Sequence, residues 1–168
     1  PAGEEDTQML AEDYLRMYIA RVRTMEPVRP FQSDEAIDKS LLVVGGGITG
    51  MTAALEAARA GYPVRLIERT ERLGGWLARQ AQSIPTRPPF LDLEETTVDT
   101  LATEIARNPL ITVYTSTITS RIEGAPGLFD VTLASTDNGK PPGTVIDTFR
   151  VGAIVQATGA RPYDAGKL

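Results

Sequence analysis

The chain has no cysteine and no histidine. It can therefore form no disulfide, no metal site built on Cys or His, and no Ser-His or Cys-His catalytic pair. It cannot hold an iron–sulfur cluster through thiolates or cycle a dithiol. Redox chemistry on this chain would have to come from a bound cofactor. Positive charge is also scarce. Lys and Arg number 17 against 22 Asp and Glu, which gives a net charge of −5 and a pI near 4.8. That balance argues against nucleic acid or an anionic membrane surface as the main partner. No apolar run approaches the roughly 20 residues of a membrane span. Pro1 to Asp6 is acidic and polar, unlike a signal peptide. A cytoplasmic protein is the expectation. A length of 168 residues, 42% of them apolar, suits one domain with a small appendage.

What the chain does have is glycine at telling positions. The apolar run Leu41-Leu42-Val43-Val44 meets Gly45-Gly46-Gly47, then Ile48-Thr49-Gly50, then the helical-looking stretch from Met51 to Ala60. This is G-x-G-x-x-G between a strand and a helix, the setting in which the spacing has a mechanism. Gly45 permits the tight turn. Gly47, without a Cβ, lets a pyrophosphate come close to the backbone. Gly50 lets the helix pack closely on the strand. Ile48 and Thr49 lie at the helix start, where free N–H groups and the helix dipole favour phosphate charge. Gly61 is placed to stop the helix, and Pro63 to Glu68 reads as a second strand. The β-α-β unit has about the length of a dinucleotide fingerprint, roughly 30 residues.

The remaining pattern is equally regular. Thr7 to Thr24 reads as a helix with Leu10, Tyr14, Met17, Tyr18, Arg21 and Val22 near one face, ended by Pro27 and Pro30. Glu12 and Arg16 are spaced for an ion pair. Phe31 to Lys39 is a polar linker. After the second strand, Thr70 to Gln82 contains a helical turn, and Ser83 to Phe90, with three prolines, is an extended loop. Thr96 to Arg107 predicts a helix with Val98, Leu101, Ile105 and Ala106 facing inward. Ile111 to Tyr114 predicts a third parallel strand. Thr117–Glu123, Leu128–Ser135 and Thr144–Arg150 alternate as strands around Gly124-Ala125-Pro126-Gly127 and Asn138 to Gly143. They predict a three-stranded antiparallel meander in place of a second crossover helix. Ala153 to Gln156 is a last buried strand.

Several residues then fall where a cofactor would meet the fold. Glu68 ends the second strand, 18 residues after Gly50. A carboxylate there can accept two hydrogen bonds from an adenosine ribose and repels a 2′-phosphate. Arg69 beside it suits adenine or phosphate, or is a solvated charge. In Arg72-Leu73-Gly74-Gly75-Trp76, the glycines Gly74 and Gly75 allow close approach of a ligand. Trp76 suits the edge of a cofactor ring or core space. Ile118, at the start of the meander, can offer backbone to an adenine ring or serve as a core isoleucine. Ala157, Thr158 and Gly159 leave the last strand at the carboxyl end of a parallel sheet, where open α/β sheets bind ligands.

Taken together, G-x-G-x-x-G, the strand-end Glu, Leu-Gly-Gly, the meander and Ala-Thr-Gly resemble the FAD-binding domain of two-dinucleotide-domain flavoproteins. Those are enzymes of the disulfide reductase and thioredoxin reductase kind. The resemblance covers about residues 40–164. Leu15 to Arg23, Glu26-Pro27, Val43 to Leu55, Asn108 to Val113 and Gly159 to Asp164 are more narrowly similar to the A-subunit of heterodisulfide reductase, its flavoprotein. The resemblance implies an α/β fold: a three-layer Rossmann-like FAD/NAD(P)-binding domain with a parallel sheet and an antiparallel β-meander, preceded by an N-terminal helix. It implies FAD as cofactor, no catalytic side chain of the chain's own, and other redox subunits as partners. Residues 1–39 would be a linker helix and connector, and residues 40–168 an FAD domain incomplete at its C-terminus. Cluster binding does not carry over, because the cysteines are absent, including from the loop after Gly75. Iron–sulfur clusters are expected only in other parts of a longer parent. Two alternatives stand beside this reading. One is the FAD domain of another NAD(P)H-dependent reductase or flavin oxidase. The other is a non-catalytic assembly module with an empty nucleotide site.

Overall fold

The computed structural model describes residues 4–28, 36–136, 139–160, 164 and 166. Pro30, most of the linker from Phe31 to Glu35, Asn138 of the second hairpin turn and Arg161 to Tyr163 lie outside the described residues. The chain divides into two compact units, Pro1–Glu35 and Ala36–Leu168. Among its described residues the first contains one helix, α1 (Glu4–Thr24). The expected Glu12–Arg16 ion pair forms there at 3.6 Å. Among the described residues no helix is long and apolar enough to cross a membrane.

The second unit is built on a four-stranded parallel sheet of β1 (Leu41–Val44), β2 (Val64–Ile67), β5 (Ile111–Tyr114) and β9 (Ala153–Gln156). The strand order is β5-β2-β1-β9, and the register puts Val43 level with Leu66, Val113 and Val155. Helices α2 (Ile48–Arg59) and α3 (Val98–Arg107) cover one face. The antiparallel meander β6 (Thr117–Ala125), β7 (Leu128–Ser135) and β8 (Val145–Val151) covers the other. Successive strand residues point to opposite faces. Val43 and Leu66 therefore pack with Met51, Ala54, Leu55 and Ile105, while Leu42 and Ile67 pack with Val131, Leu133 and Val151. Strands buried on both faces need continuous apolar runs; β1 is one, and β2 is apolar except for Arg65, whose guanidinium lies over the Phe149 ring.

Helix α3 departs from the expected pattern at one residue. Ala106 is exposed, and Ala102 packs against the core instead. Val98, Leu101, Ala102 and Ile105 follow the i, i+3, i+4, i+7 spacing of one helical face, and Ala106 falls off its edge. The helical turn expected between Thr70 and Gln82 is present, and the extended loop from Ser83 to Phe90 is held between two short strands. A 3-10 turn (Leu77–Arg79) is followed by two short antiparallel strands, β3 (Gln82–Ser83) and β4 (Glu94–Glu95). Glu94 accepts the Thr86 N–H at 3.0 Å and closes the loop between them.

At the N-terminal edge of the sheet, the approach to β1 is fastened to the meander. Asp38 N–H donates to Gly127 O at 2.9 Å, and Gly152 N–H donates to Ser40 O at 2.9 Å. A shallow depression of about 460 Å³ lies here, lined by Ile37, Tyr62, Pro126 and glycine backbone. It is at the opposite end of the strands from the glycine motif.

Candidate functional site

The carboxyl ends of β1, β2 and β9 open onto a cleft of about 360 Å³, closed on one side by the start of β6. Of the residues expected at a cofactor, Gly45, Glu68, Arg69, Ile118 and Thr158 line it. Ile118 is 43% exposed, so it is a wall of the cleft and not a core isoleucine. Thr117, Thr119 and Gln156 also line the cleft, although no sequence motif marks them. Their signal is position alone: two threonines flank Ile118 on one strand, and Gln156 closes the last strand.

The glycine turn is shaped by contacts on every side but one. Gly45 has φ +109, and a Cβ built there would strike the carbonyl of Ala157. A Cβ at Gly50 would collide with the Gly45 carbonyl, which is the close helix–strand approach the motif predicts. The turn stays in register with the sheet. Gly45 N–H donates to Ile67 O at 2.8 Å, and Ala157 N–H donates to Val44 O at 2.8 Å. Gly47 is different. Its φ is −74 and ψ −178, and a Cβ there would meet nothing within 4 Å. The fold itself does not require glycine at this position. The space beside its backbone is open, a cradle that a side chain would fill.

Helix α2 starts at this cradle. Gly47 is its N-cap residue and no side chain caps it. The first-turn N–H groups of an α-helix have no partner within the helix, and Ile48 and Thr49 at that turn are exposed. The Leu73-Gly74-Gly75 turn lies against the same loop. Gly74 N–H donates to Gly46 O at 2.7 Å, and a Cβ on Gly75 would be 3.1 Å from Gly47 Cα. Trp76 follows but is not part of the cleft wall. It is 54% exposed, with the Arg79 guanidinium 5.5 Å from its ring centroid. Gly159 is exposed with φ +67 and has no neighbour within reach of a Cβ.

Glu68 is a buried polar group of the site, held from both carboxylate oxygens. It is only 7% exposed. Its Oε2 accepts the Gly46 N–H at 2.8 Å, and its Oε1 accepts the Thr70 N–H at 2.8 Å. The backbone donors suit a carboxylate, which can only accept. Arg69 beside it is exposed. Among the described residues no group of three or more acidic side chains converges as a metal site would.

The site residues fit FAD. The cradle at Gly47 leaves room for a pyrophosphate, the uncapped helix start favours its charge, and the Glu68 carboxylate faces the cleft beside it. Comparison with known proteins agrees. Residues 40–136 match the protein family described as FAD dependent oxidoreductase. The chain is 35% identical over 121 residues to a protein of Archaeoglobus profundus that is itself like the heterodisulfide reductase A-subunit, covering 72% of this chain and 16% of that one. It is 32% identical over 130 residues to the A-subunit of ferredoxin:CoB-CoM heterodisulfide reductase of Methanosarcina mazei, covering 76% of this chain and 16% of the relative. Among solved structures, thioredoxin reductase from Lactococcus lactis superposes with a TM-score of 0.51 at 23% identity, over 76% of this chain and 38% of that one. At that identity the likeness concerns the fold alone. The chain spans about a sixth of the length of these curated relatives.

Proposed function

This chain belongs to the FAD-dependent oxidoreductases, and from that premise we propose that its second unit holds the FAD of a larger electron-transferring flavoprotein of the heterodisulfide reductase A-subunit type. The observation that carries the reading is the Gly47 cradle at the uncapped start of α2, which no contact within the protein explains. Bound FAD supplies a ring that takes up and releases electrons, and the protein supplies binding, orientation and electrostatics.

Each part of the site has a role in this reading. Gly45, Gly47 and Gly50 shape the turn, and the N–H groups around Ile48 and Thr49 receive the pyrophosphate. The Glu68 carboxylate receives one adenosine ribose hydroxyl. Arg69 and Ile118, with Thr117 and Thr119, form the adenine end. Gly74, Gly75 and Trp76 lie towards the flavin, and Ala157, Thr158 and Gly159 close the crevice. The helix α1 and the segment up to residue 39 connect this FAD domain to the rest of the protein. The redox partners are other subunits of a heterodisulfide reductase-like complex in the cytoplasm, and iron–sulfur clusters sit elsewhere in the parent chain. The relatives' names, with their ferredoxin and CoB-CoM heterodisulfide, support that setting.

A flavin spectrum and an FAD titration of the full-length protein test the proposal. One FAD per chain is the expected result. A protein that takes NAD in place of FAD, or no flavin at all, overturns it.

A further inference from the structure

The Glu68 carboxylate is held on one side by a residue that no motif names. Thr70 donates its backbone N–H to Oε1 at 2.8 Å, and its hydroxyl oxygen lies 2.8 Å from the same Oε1. That hydroxyl is also 2.9 Å from the carbonyl oxygen of Arg72. It has one proton to give, and the ionised carboxylate is the stronger acceptor. Thr70 is itself anchored to the meander. Its carbonyl accepts the Ser116 N–H at 2.9 Å, and the flanking Glu68 carbonyl accepts the Thr117 N–H at 2.9 Å. A carboxylate offers about four lone-pair sites. Thr70 takes two on Oε1, and the Gly46 N–H takes one on Oε2. The site left over is on Oε2.

We propose that Thr70 is a positioning residue for the adenosine ribose: its hydroxyl locks the Glu68 carboxylate so that the remaining Oε2 lone pair is available to a hydroxyl donor in the cleft. The inference rests on the proposed reading of Glu68 as the ribose ligand. A glutamate has three side-chain torsions, and ordering them when the ligand arrives costs affinity. The two Thr70 bonds meet that cost during folding. The hydroxyl bond is the part a substitution can remove, because the N–H bonds from Thr70 and Gly46 belong to the backbone.

The test is FAD affinity of the full-length protein by fluorescence titration, with wild type, Thr70→Val, Thr70→Ser, Glu68→Ala and the Glu68→Ala/Thr70→Val double variant. Valine keeps the branched shape and loses the hydroxyl; serine keeps the hydroxyl. Thr70→Val is expected to bind FAD up to about tenfold more weakly, the cost of ordering one long side chain on binding, and Thr70→Ser to bind like wild type. In the Glu68→Ala background Thr70→Val should add nothing, because coupled residues fail to add. Unfolding of the FAD-free variants shows that each is folded. Unchanged affinity in Thr70→Val overturns the inference, as does a loss that persists in the Glu68→Ala background. Wild-type affinity in Glu68→Ala instead removes the ribose reading itself, a result separable from the first two.

Discussion

Gly46 donates its backbone N–H to Glu68 Oε2 at 2.8 Å, joining the glycine turn after β1 to the residue that follows β2. The bond spans 22 residues of sequence and is buried. One carboxylate thus has two tasks: it satisfies a buried backbone donor of the fold, and it faces the cofactor cleft. Removing it therefore acts before any ligand arrives. Glu68→Ala leaves the Gly46 N–H without its acceptor, and an unsatisfied buried donor costs about 1–3 kcal/mol. Denaturant unfolding of the FAD-free protein should show that loss. Glu68→Gln, which keeps one carbonyl acceptor, should lose less. Equal stability of the alanine variant and wild type would mean that the Gly46 bond carries no weight.

Gly47 and Gly50 separate ligand from fold. Gly50→Ala drives a methyl into the Gly45 carbonyl, backbone that cannot step aside. Overpacking of this kind costs typically about 1–3 kcal/mol, and FAD affinity falls with it because the turn is displaced. Gly47→Ser should behave in the opposite way. The Gly47 backbone is extended, as N-cap residues are, and serine is a preferred N-cap. The FAD-free variant should be as stable as wild type or slightly more so. Its side chain enters the cradle, so FAD binding should weaken by about tenfold or more, by the cost of filling space a pyrophosphate needs. Thermal unfolding without FAD, set against an FAD titration, checks both. A serine variant that binds FAD like wild type would show that nothing approaches the backbone at Gly47.

The legible parts of this fold were those with a repeating physical cause. Leu41–Val44 and Ala153–Gln156 are read from sequence with the bounds they have in the structure. The reason holds for the first, because a central strand covered on both faces is apolar throughout. The expected burial of the second does not hold, because β9 is an edge strand whose Ala153 and Gln156 are exposed. The meander follows from alternation broken by glycine turns, and Gly127 indeed has φ +93. The two-residue ladder of β3 and β4 was not legible, since Gln82, Ser83, Glu94 and Glu95 have no apolar pattern. Glu68 and the glycines were legible as a motif. Their supports were not: the Gly46 and Thr70 hydrogen bonds join one side chain to nearby backbone, and such bonds leave no periodic trace in a sequence. The side of the cleft formed by Thr117, Thr119 and Gln156 depends on how the meander folds over the sheet ends, a relation between segments far apart in the chain.

Gly152 offers a control at the other end of the sheet. It sits between β8 and β9, and a Cβ there would collide with the carbonyl of Asp38. Gly152→Ala should therefore loosen the fastening of the segment that leads into β1. The expected cost is about 1–3 kcal/mol, as for other insertions into filled space. The cleft lies at the opposite strand ends, so the FAD affinity of the folded variant should match wild type. Measuring stability and affinity together checks this. A parallel loss of affinity would mean that the two ends of the sheet are coupled.

Tyr114 ties the parallel sheet to the meander and should give stability a dependence on alkaline pH. Its hydroxyl donates to Asp147 Oδ2 at 2.7 Å. Its ring lies 6.3 Å from that of Phe149, over which the Arg65 guanidinium sits at 4.3 Å. Burial pushes the phenol above its ordinary pKa of 10.0, and so do the hydrogen bond to Asp147 and the Asp147 charge, with Arg65 opposing them. The folded state thus holds the phenolic proton more tightly than the unfolded chain does. The stability this provides is present in full below about pH 10. It is lost as pH rises from there through the raised pKa, where the unfolded state has already released its proton. Tyr114→Phe removes the hydrogen bond and should cost about 1 kcal/mol at neutral pH. Above about pH 10 the gap between the two proteins should narrow, because wild type then loses the same bond by ionisation. Denaturant unfolding of both across about pH 8 to 11 reads the gap directly, and a gap that stays constant would rule Asp147 out as the partner that matters.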